Sequence, residues 1–236
     1  ITCRDWSSDV CSSDLENRVL TLFDQMPPDL VNMLLASEDR EFYDHWGMNL
    51  RRVLFVAVSN IVIWDIKGGA STVSQQLARM LFLNREQTLD RKFKEALTAI
   101  KLERTYSKQE ILEMYLNQYY FGHGAYGIAA ASHAFFTKSV SELTVSDCAV
   151  LIGMLKAPNT NSPFRYPDRA VKARNRVLYS YYTFGGISRE QYDSLKEMPL
   201  EVNQPEEDAG DAPYFTEEVR QYIFDRYGED MLYSGG

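Results

Sequence analysis

Apolar residues recur at helical spacing along the chain from Pro28 onward. Pro28 favours the first turn of a helix, and apolar residues at positions 30, 31, 34 and 35 form a stripe along it. Similar spacing and capping signals predict further helices from Thr72, over residues 88–104, from Ser107 to Phe121, over 125–136, from Thr144 to Pro158, over 168–184 and over 214–227. No alternating run is long enough to build a central sheet. The fold is therefore predicted to be mainly α.

Glu38 interrupts the apolar face of the first predicted helix. Positions 31, 34, 35, 38 and 42 share one face at 3.6 residues per turn, which predicts a helix that continues to Phe42. A carboxylate beside apolar surface loses hydration, which favours its protonated form and suits it to proton transfer. The alternative is a structural glutamate at the rim of the core, neutralised by Arg40 or by a distant arginine. Asp39 and His45 either orient this acid or cap the end of the helix.

A polar face is predicted for the helix that begins near Thr72. Thr72, Gln75, Gln76 and Arg79 lie at i, i+3, i+4 and i+7, and Thr72 with Gln75 fits a capping box. The helix follows the glycine pair at 68–69, so its free N–H groups and its dipole are expected to favour an anion. This pattern predicts a phosphate site. A solvated polar face is the alternative, and the helix alone does not decide between them.

The predicted helix over residues 88–104 carries an acid and a base one turn apart. Arg91 and Glu95 are i, i+4 neighbours, expected to point away from a core face formed by Phe93, Leu97 and Ile100. Taken alone, such a pair is typical of a surface ion pair that contributes roughly tenths of a kcal/mol.

Charge is distributed unevenly along the chain. The whole chain has 25 basic and 33 acidic residues, a net charge of −8, whereas residues 79–108 hold eight basic and four acidic residues, 8 − 4 = +4. A net negative chain disfavours general nucleic-acid binding, and no nucleic acid is expected as a partner. The local excess of cations indicates a specific anionic ligand. Two carboxylates on separate helices beside such a segment suit sugar chemistry with a charged leaving group.

Composition sets further limits on the class of protein. With 45% apolar and 25% charged residues the chain is globular rather than disordered. Its three cysteines exclude a disulfide framework and show no zinc-ligand spacing. The longest apolar stretch, residues 53–64, has 12 residues, fewer than the roughly 20 of a membrane-spanning helix.

The two ends of the chain differ from the helical region between them. Residues 1–15 contain a near-repeat without periodicity and are interpreted as a non-native or disordered leader. Residues 199–236 are interpreted as an acidic linker and the start of an interdomain region.

Five groups of short motifs follow one another in a fixed order. They are Glu38-Asp39-x-x-Phe42-x-x-His45-x-Gly47, Gly69-Ala-Ser71-Thr72-x-Ser74-Gln75-Gln76, Arg91-Lys92-x-x-Glu95, Ile111-Leu112-Glu113-x-Tyr115-Leu116-Asn117, and then Phe121-Gly122, Gly127-Ile128 and Ala157-Pro158. In this order and spacing, over roughly residues 28–180, the chain resembles the peptidoglycan glycosyltransferase domain of class A, bifunctional penicillin-binding proteins, glycosyltransferase family 51. That family has a helical, lysozyme-like fold of two lobes, the smaller of which is a jaw near the membrane. The resemblance places such a domain at residues 16–198.

The resemblance implies a reaction and two catalytic residues. Glu38 corresponds to the base that deprotonates the 4-hydroxyl of the acceptor sugar of lipid II. The hydroxyl then attacks the anomeric carbon of the growing, lipid-pyrophosphate-linked chain with inversion. Glu95 corresponds to a second essential glutamate that supports the pyrophosphate leaving group or organises its cation. A divalent cation, Mg²⁺ or Mn²⁺, would suit the pyrophosphate, although no cluster of ligands in the sequence specifies one.

The resemblance also implies a set of substrate-binding residues. They are Asp39, Phe42, His45, Ser71, Thr72, Gln76, Arg79, Arg91 and Lys92. Glu113 and Asn117 are interpreted as structural. Arg79-Met80 stands where family members usually carry Lys-Asn, so a cation is kept while one amide donor is lost.

Partners and location follow from the same resemblance. Lipid II and the growing glycan strand are the expected ligands, other cell-wall synthesis proteins are candidate partners, and residues 53–64 are expected to meet the membrane surface. The expected location is the outer face of the bacterial cytoplasmic membrane, with an anchoring helix and a transpeptidase domain outside these residues, so penicillin binding is not predicted. The competing functions are a lysozyme-like lytic transglycosylase and a non-catalytic cell-wall scaffold.

Overall fold

The structure is a computed structural model that describes residues 20–49, 71–82 and 89–203. Eight α-helices are present in these ranges: α1 Pro28–Glu38, α2 Val73–Phe82, α3 Leu89–Thr105, α4 Lys108–Gln118, α5 Ile128–Phe136, α6 Val145–Met154, α7 Pro167–Phe184 and α8 Arg189–Glu197. Short 3-10 helices occupy Phe23–Gln25 and Val140–Glu142. The described residues contain no strand, only an isolated bridge between Tyr120 and Tyr126. The prediction of a mainly α fold is confirmed.

Two groups of helices meet at the end of α1. Helix α1 packs against α6 and α7, while α2 packs against α3 and α4. Leu30, Met33 and Leu34 of α1 are fully buried, so their apolar surface holds the helix in the core. Helices α6 and α7 approach closely because Gly153 has no side chain, and a Cβ there would lie 3.1 Å from the backbone of Ala173. This packing places the C-terminal residue of α1, Glu38, beside α2.

Helix α1 ends at Glu38, so its predicted extension to Phe42 is wrong. Asp39 leaves the helical region with φ −155° and ψ 77°, and residues 40–44 form turns. Phe42 is nevertheless fully buried. The chain turns at Asp39 because its carboxylate is bound to the next helix.

The buried face of α3 differs from the predicted one. Phe93 and Leu97 are 64% and 51% exposed, whereas Glu95 and Ala99 are fully buried. The reason is a close approach to Gly47, where a Cβ would lie only 2.9 Å from the backbone carbonyl of Ala99. The face of α3 that carries Glu95 and Ala99 therefore turns inward, rather than its most apolar face.

Other predicted helix ends shift by a few residues around a tight turn. Helix α4 ends at Gln118 instead of Phe121, and α5 begins at Ile128 instead of residue 125. Gly127 between them has φ +82°, and a Cβ there would lie 2.6 Å from the carbonyl oxygen of Asn117. Only glycine fits this position, so the turn separates the two helices.

Helix α8 was not predicted from the hydrophobic pattern. Ser188 and Gln191 form a capping box at its start, with the Gln191 backbone N–H donating to Ser188 Oγ at 3.2 Å. The buried guanidinium of Arg174 in α7 donates to the carbonyl oxygens of Lys196 and Pro199 at 3.1 and 3.3 Å. The Ser188–Gln191 spacing is the sequence signal that could have located this helix.

Several predictions fall on residues outside the described ranges. These are the leader at 1–15, the apolar stretch at 53–64 and the short helix at 214–227. Among the described residues, no helix combines the length and apolar character needed to cross a membrane.

Candidate functional site

Glu38 lies on the wall of a cleft between α1, α2 and the end of α6. Its side chain is 11% exposed, and its Oε1 lies 3.8 Å from the ammonium of Lys156. Gln76 Nε2 donates to Glu38 Oε2 at 3.0 Å. Tyr115 in turn donates its hydroxyl to Gln76 Oε1 at 3.1 Å, which fixes the amide with its nitrogen toward the carboxylate. The orientation of Glu38 is therefore set by a chain of hydrogen bonds from the core.

The cleft beside Glu38 has a volume of about 300 Å³. Its lining residues come from four separate parts of the sequence: Ser37, Glu38, Ser71, Gln76, Arg79, Tyr119, Leu155 and Lys156. Four of the predicted site residues, Glu38, Ser71, Gln76 and Arg79, are brought together in this lining. The structure thus joins the first two sequence motifs in one cavity.

Tyr119 lines the cleft and is influenced by the charges of both Glu38 and Arg79. Burial, reinforced by the negative charge of Glu38 and opposed by the positive charge of Arg79, raises the pKa of Tyr119 to about 12. The exposed Arg79 side chain lines the same cleft as the Glu38 carboxylate. A cation and a proton acceptor share one cavity here.

Glu95 is fully buried and is held by Lys92. Lys92 Nζ lies 2.5 Å from Glu95 Oε1 and donates to Ser71 Oγ at 2.8 Å. The second carboxylate oxygen, Oε2, is buried and has no hydrogen-bond partner among the described residues. The expectation of a surface pair between Arg91 and Glu95 is wrong for Glu95, while Arg91 itself is partly buried. Lys92 connects this acid to the cleft through Ser71.

Asp39, Phe42 and His45 lie beneath the cleft. Asp39 Oδ2 accepts hydrogen bonds from the Val73 backbone N–H at 3.0 Å and from His45 Nε2 at 2.9 Å. His45 Nδ1 accepts from the Gly47 N–H at 3.1 Å, which assigns the proton of the ring to Nε2. The exposed fractions of Asp39, Phe42 and His45 are 1%, 0% and 9%. Direct contact with substrate, expected for these three residues, does not fit such burial, and their bonds instead position the helices of the site.

Thr72 caps α2 and does not line the cleft. Its backbone N–H donates to Gln75 Oε1 at 3.0 Å, and its Oγ1 accepts from the Gln75 N–H at 3.2 Å. Both side chains are buried, so the alternative of a solvated polar face is wrong for this part of the helix. The predicted capping box is confirmed.

Three backbone N–H groups at the start of α2 already have hydrogen-bond partners within the protein. The Val73 N–H is bound to Asp39 and those of Thr72 and Gln75 are bound within the capping box. The Asp39 carboxylate already occupies the position that the helix dipole favours for an anion. The cations that line the cleft are Arg79 and Lys156, and Lys92 adds positive charge beside Ser71.

Lys156 is the functional candidate that the sequence pattern missed. It directly precedes the Ala157-Pro158 motif, and its ammonium is one of the cations of the cleft. Its position next to a motif residue was the available signal, whereas its contact with Glu38 depends on the packing of α6 against α1.

Glu113 and Asn117 have the structural role expected for them. Asn117 Oδ1 accepts from the Thr21 N–H at 3.0 Å, and its Nδ2 donates to the Thr21 carbonyl oxygen at 2.9 Å. Glu113 accepts from the Phe23 N–H at 2.7 Å. Helix α4 thereby holds the segment that precedes α1.

Among the described residues, no group of three histidine, cysteine, aspartate or glutamate side chains is arranged to hold a metal ion.

Comparison with known proteins supports the resemblance that the motifs indicate. Residues 8–182 match the model of a protein family described as transglycosylase. Penicillin-binding protein 1A of Aquifex aeolicus is 42% identical over 221 residues, covering 94% of this chain and 30% of that protein. The Escherichia coli protein of the same name is 41% identical over 221 residues, 93% of this chain and 26% of that protein.

A solved structure gives a weaker likeness. Penicillin-binding protein 1A from Haemophilus influenzae matches with a TM-score of 0.49 and 27% identity, over 93% of this chain and 23% of that chain. The chain spans less than a third of the length of these relatives.

Proposed function

The chain belongs to the transglycosylase family, and on that premise we propose that it polymerises lipid II into glycan strands. The lipid-pyrophosphate-linked chain is transferred, with inversion, to the 4-hydroxyl of an acceptor N-acetylglucosamine. The observation that carries this proposal is the cleft in which the Glu38 carboxylate faces the cations of Arg79 and Lys156. A glycosyl transfer from a pyrophosphate needs a proton acceptor and a cationic surface within the same cavity.

Glu38 is the proton acceptor in this proposal. Gln76 holds one carboxylate oxygen, so the carboxylate keeps one orientation toward the cleft. Its shielding from water strengthens its interaction with an incoming hydroxyl. The hydroxyl proton passes to Glu38, the new glycosidic bond forms at the anomeric carbon, and the bond to the pyrophosphate oxygen breaks.

The leaving pyrophosphate is stabilised by side chains rather than by a helix terminus. Arg79 presents several donors in a fixed plane, which suits phosphate oxygens. Lys92 and Lys156 supply further positive charge from α3 and from the end of α6. These cations act where negative charge develops in the transition state.

Glu95 supports the pyrophosphate indirectly through Lys92. The ion pair holds the ammonium beside Ser71 on the cleft wall. Its buried Oε2 could also take part in holding a divalent cation, since Mg²⁺ is often bound by one or two carboxylates together with substrate phosphates. Such a cation would neutralise charge on the phosphates. We therefore assign Glu95 a role in positioning charge rather than in moving the proton.

We further infer that this domain works at the outer surface of the bacterial cytoplasmic membrane. A lipid-linked substrate requires access to a bilayer. Phe93 and Leu97, one turn apart on α3, expose apolar surface to solvent, as an interfacial helix does. Residues 53–64 are proposed to add to this contact, and other cell-wall synthesis proteins are candidate partners.

Incubation with labelled lipid II tests the proposed function. The expected product is a ladder of glycan polymers that a muramidase digests. The lytic alternative predicts that the chain cleaves finished glycan strands and leaves lipid II unchanged. A scaffold predicts that neither substrate changes while glycan still binds. Either of these last two results would overturn the proposal.

A further inference from the structure

A second groove, lined by cations, lies next to the catalytic cleft. Its volume is about 930 Å³, and Lys156, Arg169, Lys172 and Arg176 are among its lining residues. Among the residues that the structure describes, no aspartate or glutamate contributes to the lining. None of the predicted site residues belongs to this groove, and of its lining residues only Lys156 takes part in the transfer reaction described above.

Three of these cations share one face of α7. Arg169, Lys172 and Arg176 follow each other at i, i+3 and i+7 and are all exposed. At 1.5 Å per residue the first and last are about 10 Å apart along the helix. Within the described ranges, none of the three forms an ion pair with a carboxylate. Their positive charge is therefore not neutralised by the neighbouring described residues.

The groove is continuous with the catalytic carboxylate. A smaller cavity of about 70 Å³ is lined by Ser37, Glu38, Lys156, Arg176 and Ser180. Lys156 lines the cleft, the small cavity and the groove, and Arg176 lines the small cavity and the groove. A ligand in the groove would therefore be close to a sugar bound at Glu38.

We propose that this groove binds the carboxylates of the stem peptide carried by the acceptor substrate. This inference rests on the proposed function, because the peptide enters as part of lipid II. An extended peptide advances about 3.3 Å per residue, so three residues span the roughly 10 Å between Arg169 and Arg176. A neutral glycan would gain little from these cations, whereas peptide carboxylates form charge-assisted hydrogen bonds with them.

Aromatic side chains complete the groove. Tyr179 and Tyr192 lie on its wall with ring centroids 6.0 Å apart. Their rings offer apolar contact for the short side chains of a peptide, and their hydroxyls add polar contacts. The pyrophosphate cations Arg79 and Lys92 come from α2 and α3, whereas the three groove cations come from α7, and Lys156 lies between the two sites.

Kinetics with two substrates test this proposal. One substrate is lipid II with its peptide, and the other is the same lipid-linked disaccharide without peptide. In the double variant Arg169→Ala with Lys172→Ala, the ratio of kcat/KM for the first substrate to that for the second is expected to fall about tenfold. The matched control, Lys101→Ala with Arg104→Ala on exposed positions of α3, removes the same charge and should keep the wild-type ratio. An unchanged ratio in the first variant would overturn the proposal.

Calorimetric titration separates this proposal from the proposed function. Free stem peptide should bind the wild-type chain more tightly than its fully amidated form, and the Arg169→Ala, Lys172→Ala variant should abolish that difference. Equal binding of both peptides by the wild type would contradict the inference, as would a variant that loses only binding to vesicles of anionic lipid. If the wild type polymerises neither substrate, the proposed function fails, and the titration still decides what the groove binds.

Discussion

The carboxylate of Asp39 accepts a hydrogen bond from the backbone N–H of Val73 at 3.0 Å, which ties the end of α1 to the start of α2. The same oxygen is bound by His45. This contact places Glu38 and Gln76 within hydrogen-bond distance across the junction of the two helices. A buried side chain thus sets the geometry of the residue that precedes it.

Asp39→Ala is expected to lower the free energy of unfolding by about 2–4 kcal/mol, because it leaves buried donors on His45 and Val73 without an acceptor. Polymerisation should fall as well, since α2 loses its attachment to α1. Urea unfolding measures the first effect. Asp44→Ala, at an exposed turn position, is the control and should change stability by less than about 0.5 kcal/mol. Equal stability of the two variants would contradict the positioning role.

Glu38→Gln should reduce polymerisation of lipid II at least about a thousandfold, because the amide cannot accept the hydroxyl proton. The melting temperature should stay the same or rise, since a largely buried charge is removed from the cleft. Initial rates and thermal unfolding provide the measurements. Glu190→Gln on the exposed start of α8 is the matched control. A rate for Glu38→Gln within about tenfold of the wild-type rate would count against this residue as the base.

Lys92→Met leaves the buried Glu95 carboxylate without its cation. The half-exposed ammonium limits the loss of stability to about 1–3 kcal/mol, and a double-mutant cycle with Glu95→Gln should show strong coupling. Lys94→Met is the control, because Lys94 pairs with Asp90 on the exposed surface and its removal should change stability little. Additive effects of the two changes at 92 and 95 would refute the coupling.

Gly47→Ala should lower the free energy of unfolding by more than the strain of a positive φ alone would. The residue has φ +102°, and an added Cβ would lie 2.9 Å from the backbone of Ala99. Gly124→Ala separates the two causes, because Gly124 also has positive φ, +74°, but has nothing within 4 Å of the added Cβ. The control should lose roughly 1–2 kcal/mol and Gly47→Ala clearly more, as measured by urea unfolding. Equal losses of stability in the two variants would mean that α3 moves away from the added Cβ, so that the close contact has no effect.

Cys148 should resist alkylation in the folded protein. Burial, with the negative charges of Asp29 and Asp147, raises the pKa of this thiol from 9.0 to about 12. The unfolded chain ionises at the lower pKa, so this group makes a contribution to stability that is present below pH 9 and declines as the pH rises toward 12. Mass spectrometry after iodoacetamide treatment at pH 8 should find Cys148 unmodified until denaturant is added. Rapid labelling without denaturant would contradict its burial.

Much of the helical order was predictable from local signals. Thr72, Ser107 and Thr144 mark helix starts in the structure because their capping bonds reach residues only three positions away. Pro28 marks another start because its ring fixes a backbone angle that suits the first turn of a helix. The motif order likewise predicts Glu38 and Glu95 as catalytic candidates, and these assignments remain predictions. Such features persist wherever the segment lies in the fold.

The burial of α3 and the contents of the cleft were decided only by the tertiary structure. Ala99 turns inward because Gly47 permits close backbone contact, which leaves the more apolar Phe93 exposed. Lys156 reaches Glu38 through the packing of α6 against α1, and the first N–H group of α2 is bound by Asp39, which lies 34 residues earlier in the chain. Local sequence determines where helices begin, since caps act over a few residues. Which faces meet depends on side chains far apart in the chain, and so does the chemistry between them.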